Sequence, residues 1–292
     1  MGGLLFGVSI NQSAAPDADP VAEARRAEDL GFDFVSVTDH LHGTRPTHET
    51  WTLLTWIAAS TARVGLVTDV LGLPYRAPSV MAKMAASLDL LSGGRLTLGL
   101  GAGGSDEEFL GYGLPLRSPG EKIEALAEAI EILRGMWTTP SSTFQGKHFR
   151  TEGAELEPKP DRPILIWLGT YGNRALELTG RAADGWIPSY PFAPPDVVPQ
   201  KMERIRRAAE AAGRDPTALT YAYNVGVRVD EQATPRPGRM VSGGPDRVAE
   251  ALAGFARIGF TAFNLWPVGD TAEQQERLAR EVVPIVRASS AG

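Results

Sequence analysis

The stretch Arg95-Leu96-Thr97-Leu98-Gly99-Leu100-Gly101-Ala102-Gly103-Gly104 decides how the chain is read. Leu96, Leu98 and Leu100 alternate with Thr97 and Gly99, the period of a short buried strand. Side chains then give out where the strand should end. Glycine there permits positive φ and lets a flat ligand come close to bare backbone. A strand running out onto a glycine-lined floor is where an α/β enzyme seats a cofactor; the other reading is a crowded rim in which only glycine fits. Gly99, Gly101 and Gly104 also satisfy G-x-G-x-x-G, but that dinucleotide pattern belongs in the first strand–helix turn of its domain. Three strand-like segments come earlier here, and the next capped helix is expected only near Ser118. The Rossmann reading is set aside.

Outward from this strand the chain repeats one unit. Leu5 to Asn11 reads as a first strand, and Asp19-Pro20 as the N-cap and first turn of a helix whose apolar face is Val21, Ala24, Ala27 and Leu30. Gly31 ends that helix, and Phe34 to Thr38 is the second strand. Ile258-Gly259-Phe260 makes the same handover into a last strand, Ala262 to Trp266. Between them the pattern predicts helix over Glu49 to Thr61, strand over Val64 to Leu71 and helix over Pro78 to Leu91. Ser118-Pro119-Gly120-Glu121 is a capping box opening a long helix. Strands at Ile164 to Leu168, Trp186-Ile187 and Tyr221 to Val229 follow, with helices over Gly172 to Ala182, Asp196 to Ala212 and Pro245 to Arg257. Thr271-Ala272-Glu273-Gln274 reads as a second capping box. Eight strands alternating with eight helices predict a (β/α)8 TIM barrel, one domain over residues 1–292. The excess is Thr138 to Pro163, a short insertion before the fifth strand with a hairpin about Phe144-Gln145-Gly146-Lys147-His148-Phe149.

Composition narrows the function classes. The chain has 292 residues, 43% of them hydrophobic, and a net charge of −6 with no long basic run, so no nucleic-acid footprint is indicated. It has no cysteine, which removes disulfides, thiolate metal sites and a cysteine nucleophile together. Met1 to Ile10 lacks the cationic start of a signal peptide, and no run approaches the roughly 18 apolar residues of a membrane span. A soluble cytoplasmic enzyme acting on a small molecule is the expectation.

In such barrels the site lies where the strands end. The second strand ends in Thr38-Asp39-His40; a histidine there can carry a proton, or Asp39 can simply cap the turn and His40 be a solvated loop residue. Asp69 in Thr68-Asp69-Val70-Leu71 is an acid inside a barrel strand, costly unless paired or at the mouth. After the fifth strand, Gly169-Thr170-Tyr171-Gly172-Asn173-Arg174 is a tight turn feeding a helix start, which offers free N–H groups to an anion. Trp186, Tyr223 and Trp266 near later strand ends are candidates to line an apolar pocket, or are core. His40 and His42 lie two apart, as in barrel metallohydrolases, but His48 and His148 stand at no expected strand end, so no metal is expected.

These residues fall in the order of a known family. Gly31-Phe32-Asp33, Thr38-Asp39-His40-Leu41, Glu49-Thr50-Trp51-Thr52, Leu88-Asp89-Leu90-Leu91-Ser92-Gly93-Gly94-Arg95, Gly99-Leu100-Gly101-Ala102-Gly103, Arg181-Ala182-Ala183-Asp184-Gly185-Trp186 and Gly243-Gly244-Pro245-Asp246 together resemble the luciferase-like monooxygenase superfamily, in particular its deazaflavin (coenzyme F-420)-dependent branch. The resemblance implies a barrel holding a reduced flavin or deazaflavin at its C-terminal mouth. It places His40 near the reactive ring carbon and Asp39 in contact with the cofactor. It also implies a bulge with a non-proline cis peptide at Asp69-Val70 behind the ring, a floor at Gly101, Ala102 and Gly103, and phosphate at the Thr170 to Arg174 turn. It implies a homodimer through the second and third helices, where Trp51, Leu54, Trp56, Met81 and Met84 are apolar. The family's sugar-phosphate dehydrogenases carry a glutamate where Gly104 stands and a tryptophan near Thr44, which argues against that substrate here. Glu107 and Glu108 are the remaining acids beside the floor and the alternatives to His40 as proton carrier. The expected activity is hydride transfer between reduced coenzyme F-420 and a small organic substrate. The alternatives are an FMN-dependent monooxygenase and a non-catalytic cofactor carrier.

Overall fold

Leu96, Leu98 and Leu100 are all fully buried in the computed structural model, and Leu96–Gly101 is the fourth strand of a closed barrel. The structure describes residues 3–234, 236 and 238–289. In chain order the barrel strands are Leu5–Ser9, Phe34–Val37, Gly65–Thr68, Leu96–Gly101, Leu165–Leu168, Gly185–Trp186, Thr220–Val229 and Ala262–Pro267. Each runs parallel to its neighbours, and the eighth pairs back onto the first with Leu5 opposite Ala262. With helices between strands, this is the expected (β/α)8 barrel of 8 strands.

Two apolar layers hold it. Inside, Phe34, Val67, Trp167, Ile187, Ala222 and Ala262 form their own cluster. Gly7 is required there, because a Cβ at that position would lie 2.1 Å from the Phe34 ring. Outside, the other strand faces pack on the helices in one large cluster. Helix ends follow the sequence signals closely. Asp19 accepts from the Ala22 N–H at 2.9 Å to open Pro20–Asp29, and Ser118 and Glu121 form a complete capping box on Pro119–Thr138. Gly31 and Gly259 close their helices at φ of 81° and 122°.

Three local expectations are corrected, and the hairpin in the insertion is found as expected. The last capping position is Asp270, not Thr271, since the Asp270 carboxylate takes the Glu273 N–H at 3.0 Å. A short helix, Asp106–Gly111, follows the glycine stretch directly; its composition of three acids and Phe109-Leu110 was too brief to show a helical period. Pairing in the sixth strand begins at Gly185 and stops at Trp186, one residue earlier than expected. The insertion carries a two-stranded hairpin, Ser142–Gln145 with Arg150–Ala154, whose tip N–H groups at Lys147, His148 and Phe149 all donate to Glu128. Of the five apolar residues expected at a dimer face, Trp51, Leu54 and Met81 are buried in the barrel's own helix layer, and Trp56 is 67% exposed.

Candidate functional site

The glycine stretch is crowded at some positions and open at another. A Cβ on Gly99 would sit 1.8 Å from the Thr68 carbonyl oxygen, and one on Gly101 2.8 Å from the Val70 side chain. Those two glycines are there because the neighbouring strand crowds them. Gly103 adopts φ 96°, and beyond it Gly104 has nothing within 4 Å of where a Cβ would be. The floor is crowded where it meets the third strand and open where it leaves it.

The crowding comes from a bulge. The third strand breaks after Thr68, the Asp69-Val70 peptide is cis, and pairing with the fourth strand resumes at Leu71 and Gly72. Val70 thereby points between Gly99, Gly101 and Gly169. Asp69 turns into the barrel, where Asn224 Nδ2 donates to one carboxylate oxygen at 2.8 Å and Asn264 Nδ2 to the other at 2.9 Å. Ser36 Oγ donates to Asn264 Oδ1 at 2.9 Å and closes the network. Burial pushes the Asp69 carboxyl up to about 6 against the lowering effect of Asn224, Asn264 and the Trp266 indole. Asn224, Asn264 and Ser36 were not anticipated. Their signal was present: each is a polar residue in the middle of an apolar strand, and Asn224 lies directly opposite Asn264.

At the rim stands a second carboxylate with different neighbours. Glu108 Oε1 is 2.8 Å from His40 Nδ1, and Glu108 Oε2 accepts from the Tyr75 hydroxyl. Burial opposes the charge on Glu108, but bonds from Tyr75 and His40, the charge of His40 and the Leu41 N–H together hold its carboxyl below the usual range. Burial, then the bond to Glu108, raises Tyr75. A carboxylate kept ionised beside Nδ1 makes Nδ1 the protonated nitrogen, so Nε2 of the exposed His40 ring is left to take or give a proton. Glu107 is exposed and does not line the cavity, so the proton-carrying alternatives reduce to His40 and Glu108.

Asp39 is placed at the mouth but is not free. Its Oδ2 accepts from the Gly72 N–H at 2.9 Å and from Arg76 Nη1 at 2.7 Å, and its Oδ1 from Arg76 Nη2 at 3.1 Å; Arg76 also binds Glu49. The turn after the fifth strand is similarly selective. Thr170 Oγ1 faces the Thr179 hydroxyl at 2.9 Å, and Tyr171 accepts the Ser189 N–H through its own hydroxyl. The helix Asn173–Ala182 begins at Gly172 with no side-chain cap, so its first N–H groups are the ones turned outward. Arg174 reaches Glu124 at 3.3 Å.

A cavity of about 810 Å³ joins these parts, lined by Asp39, His40, Asp69, Val70, Gly101, Ala102, Gly103, Glu108, the Thr170 to Arg174 turn and Trp266. Trp186 and Tyr223 stay outside it. Trp186 is stacked on Phe260 and donates its indole N–H to the Thr170 carbonyl at 2.8 Å, while Tyr223 lies face to face with Phe260 at 4.0 Å. Both are fully buried, so the pocket expectation for them is corrected to a core role. A second cavity of about 970 Å³ lies toward the first and eighth strands and shares Thr38, His40, Glu108 and Trp266 with the first. Among the described residues no cluster of His, Asp and Glu is placed to hold a metal ion.

The sequence matches the profile of the luciferase-like monooxygenases over residues 5–235. The chain belongs to this family. Similar curated proteins include an F420-dependent glucose-6-phosphate dehydrogenase of Nakamurella multipartita, 35% identical across 70% of this chain and 61% of that one. A second of the same name, from Beutenbergia cavernae, is 30% identical across 92% of this chain and 94% of its own length. Among solved structures, an F420-dependent secondary alcohol dehydrogenase holding an F420-acetone adduct superimposes with a TM-score of 0.89 at 20% identity, over 98% of this chain and 99% of that one. At that identity the likeness is one of fold.

Proposed function

We propose that the protein is an F420-dependent oxidoreductase that moves a hydride between the deazaflavin and a small organic substrate. The observation that carries this is a single cavity with His40 and the Asp69-Val70 bulge at one end and the uncapped helix start at Asn173 at the other. The residues fit such a group: Gly104 and Gly172 leave the space above them open, and the helix start offers unpaired donors to an anion. When bound, the deazaflavin supplies two-electron hydride chemistry at the mouth. Val70 and the Gly101 to Gly103 backbone would support its ring, and the backbone from Thr170 to Arg174 its phosphate. Asp39 fixes Arg76 and the Gly72 backbone and so shapes the floor. Glu108 holds the His40 ring, and Nε2 of His40 exchanges the proton that must accompany the hydride.

The substrate is a small organic molecule other than a sugar phosphate, since Gly104 and Thr44 stand where the resemblance places the glutamate and tryptophan of those enzymes. Assembly is as a homodimer through the helices Thr50–Ser60 and Pro78–Leu91, on which Trp56, Val80 and Leu91 are exposed. Fluorescence titration with oxidised F420 and, in parallel, with FMN tests the central reading. Saturable F420 binding with no FMN binding is expected; the reverse would make the protein an FMN-dependent monooxygenase, and binding without turnover against a panel of alcohols and carbonyls would make it a carrier.

A further inference from the structure

Resting on the reading of the Thr170 to Arg174 turn as the cofactor's phosphate seat, we infer that Lys201 is its positioning residue. From outside the cavity it sets the direction of the turn's N–H groups, and so how tightly they hold a phosphate.

Two consecutive carbonyls of the turn are held from behind. Trp186 donates its indole N–H to the Thr170 carbonyl at 2.8 Å, and Lys201 Nζ donates to the Tyr171 carbonyl at 2.9 Å. Neither donor lines the cavity, whereas residues 170 to 175 all do. The peptides that follow Thr170 and Tyr171 are trans, so the C=O and N–H of each point to opposite sides. With both carbonyls drawn away from the cavity, the N–H groups of Tyr171 and Gly172 are directed towards it. No acceptor among the described residues meets the N–H of Tyr171, Gly172, Asn173, Arg174 or Ala175. Such a run of free donors suits an anion.

Packing brings Lys201 to this place. It lies on the helix Val198–Ala211, one turn before Ile205 and on the same face. A Cβ on Gly180 would stand 2.2 Å from the Ile205 carbonyl oxygen, so the bare glycine lets this helix close on Asn173–Ala182, the helix that the turn opens. The ammonium then takes a carbonyl that an ordinary helix start gives to the N–H four residues on. That N–H belongs to Ala175 and is left free, while the next one, of Leu176, bonds Gly172 at 2.9 Å in the ordinary way. Without the ammonium, the Tyr171 carbonyl and the Ala175 N–H are free to pair. The helix then winds back by one residue, and the Gly172 N–H turns with it.

Inorganic phosphate is titrated into the cofactor-free protein and followed by backbone NMR, and F420 is titrated separately by fluorescence. In wild type, phosphate should move the Tyr171 and Gly172 amides saturably. Lys201→Met keeps the apolar stem and removes the ammonium. It should weaken phosphate by about tenfold, move the Tyr171 carbonyl carbon upfield and slow hydrogen exchange at Ala175. Lys201→Arg, which returns a cationic donor, should recover most of the affinity. Should Lys201→Met fail to fold, Lys201→Gln, whose polar end falls short of the carbonyl, gives the same comparison. The ratio of wild-type to variant affinity should hold from low to high salt, because a fixed peptide direction is not screened. A ratio that collapses to one at high salt would make Lys201 a distant charge and overturn the assignment. Equal phosphate affinity in wild type and variant, or phosphate shifts that miss Tyr171 and Gly172, would overturn it as well, and F420 binding would then leave the cofactor reading standing. Lys201-dependent phosphate binding at the turn without any F420 binding would overturn the cofactor reading alone and support the role of Lys201.

Discussion

Asp69 and Glu108 face the same mouth, and their surroundings push them in opposite directions. Both are buried side chains that accept two or more hydrogen bonds. Asp69 sits wholly inside the barrel, where its donors are neutral amides, and burial wins. Glu108 sits at the rim, where its donors are a tyrosine hydroxyl and a histidine that can be charged, and ionisation wins. Neutral dipoles satisfy a carboxyl's bonding without offsetting the loss of water; a nearby cation does both. The base of the mouth is therefore a structural acid under the Asp69-Val70 bulge, and the rim holds the acid–base pair that the proposed hydride transfer would use.

The largest effect that tests this contrast is one of stability against pH. Asp69 rises from its ordinary 3.8 to about 6, and Glu23, a second buried acid with a raised carboxyl, from 4.5 to about 7. Between those limits the folded chain keeps protons that the unfolded chain has lost. Their stabilising contribution is full below about pH 4 and is lost as pH rises through 6 and 7, by up to about 3 kcal/mol for each group. Glu108 acts with the opposite sign, its contribution lost as pH falls. Urea denaturation of wild type and Asp69→Asn from pH 4 to 8 isolates the first term. The variant should gain on wild type as pH rises, and a pH-independent difference would show that Asp69 is not the raised acid.

Next in size is catalysis at the rim. His40→Ala should lower turnover by about a hundredfold, on the order of 2.7 kcal/mol, with F420 affinity nearly intact, because the ring serves the proton and not the binding. Single-turnover hydride transfer is the measurement. A rate within a few-fold of wild type would move the proton to Glu108. Glu108→Gln should cost less, about tenfold, by leaving the His40 ring without its ionised partner and shifting the pH–rate profile. Glu107→Gln, altering an exposed residue outside the cavity, should leave both rate and profile unchanged.

The fold was legible because its signals are local. Asp19-Pro20, Ser118 to Glu121 and the two helix–Gly–Phe handovers mark element ends by backbone requirements that hold in any tertiary setting. The site was legible only to the extent that it lies at strand ends. His40, Asp69 and the 170–174 turn could be placed by position along the chain, but the partners that define their chemistry are distant, such as Glu108 for His40, 68 residues away, and Asn264 for Asp69, 195 residues away. Nothing in a one-dimensional pattern pairs them. The same blindness put Trp186 and Tyr223 at a pocket, since an aromatic near a strand end looks alike whether it faces the mouth or, as here, Phe260. Asp39 is expected to touch the cofactor on the resemblance alone; it lines the cavity, and nothing in the sequence signals that Arg76, on a turn with no periodic signature, already holds its carboxylate.

The smallest expected effect concerns the turn at Arg174, where the backbone and the side chain compete for credit. The uncapped helix start at Asn173 offers its N–H groups at fixed positions, whereas the Arg174 side chain is 63% exposed and already paired with Glu124. That one glutamate also holds Lys147 at 2.9 Å and His148 at 3.3 Å, so Arg174, the one of the three that lines the cavity, shares its carboxylate. An exposed, partnered arginine adds little to a site built on backbone donors. Arg174→Ala should therefore weaken F420 binding by no more than about tenfold, and the loss should shrink further at high salt. Glu124→Gln carries the argument in the other direction. Freeing Arg174, Lys147 and His148 from their shared carboxylate should tighten binding of the phosphate-bearing ligand several-fold at low salt. If Glu124→Gln leaves the affinity unchanged while Arg174→Ala also does, the backbone amides alone anchor the phosphate. If Arg174→Ala instead abolishes binding, the side chain and not the helix start is the anchor, and the turn has been read the wrong way round.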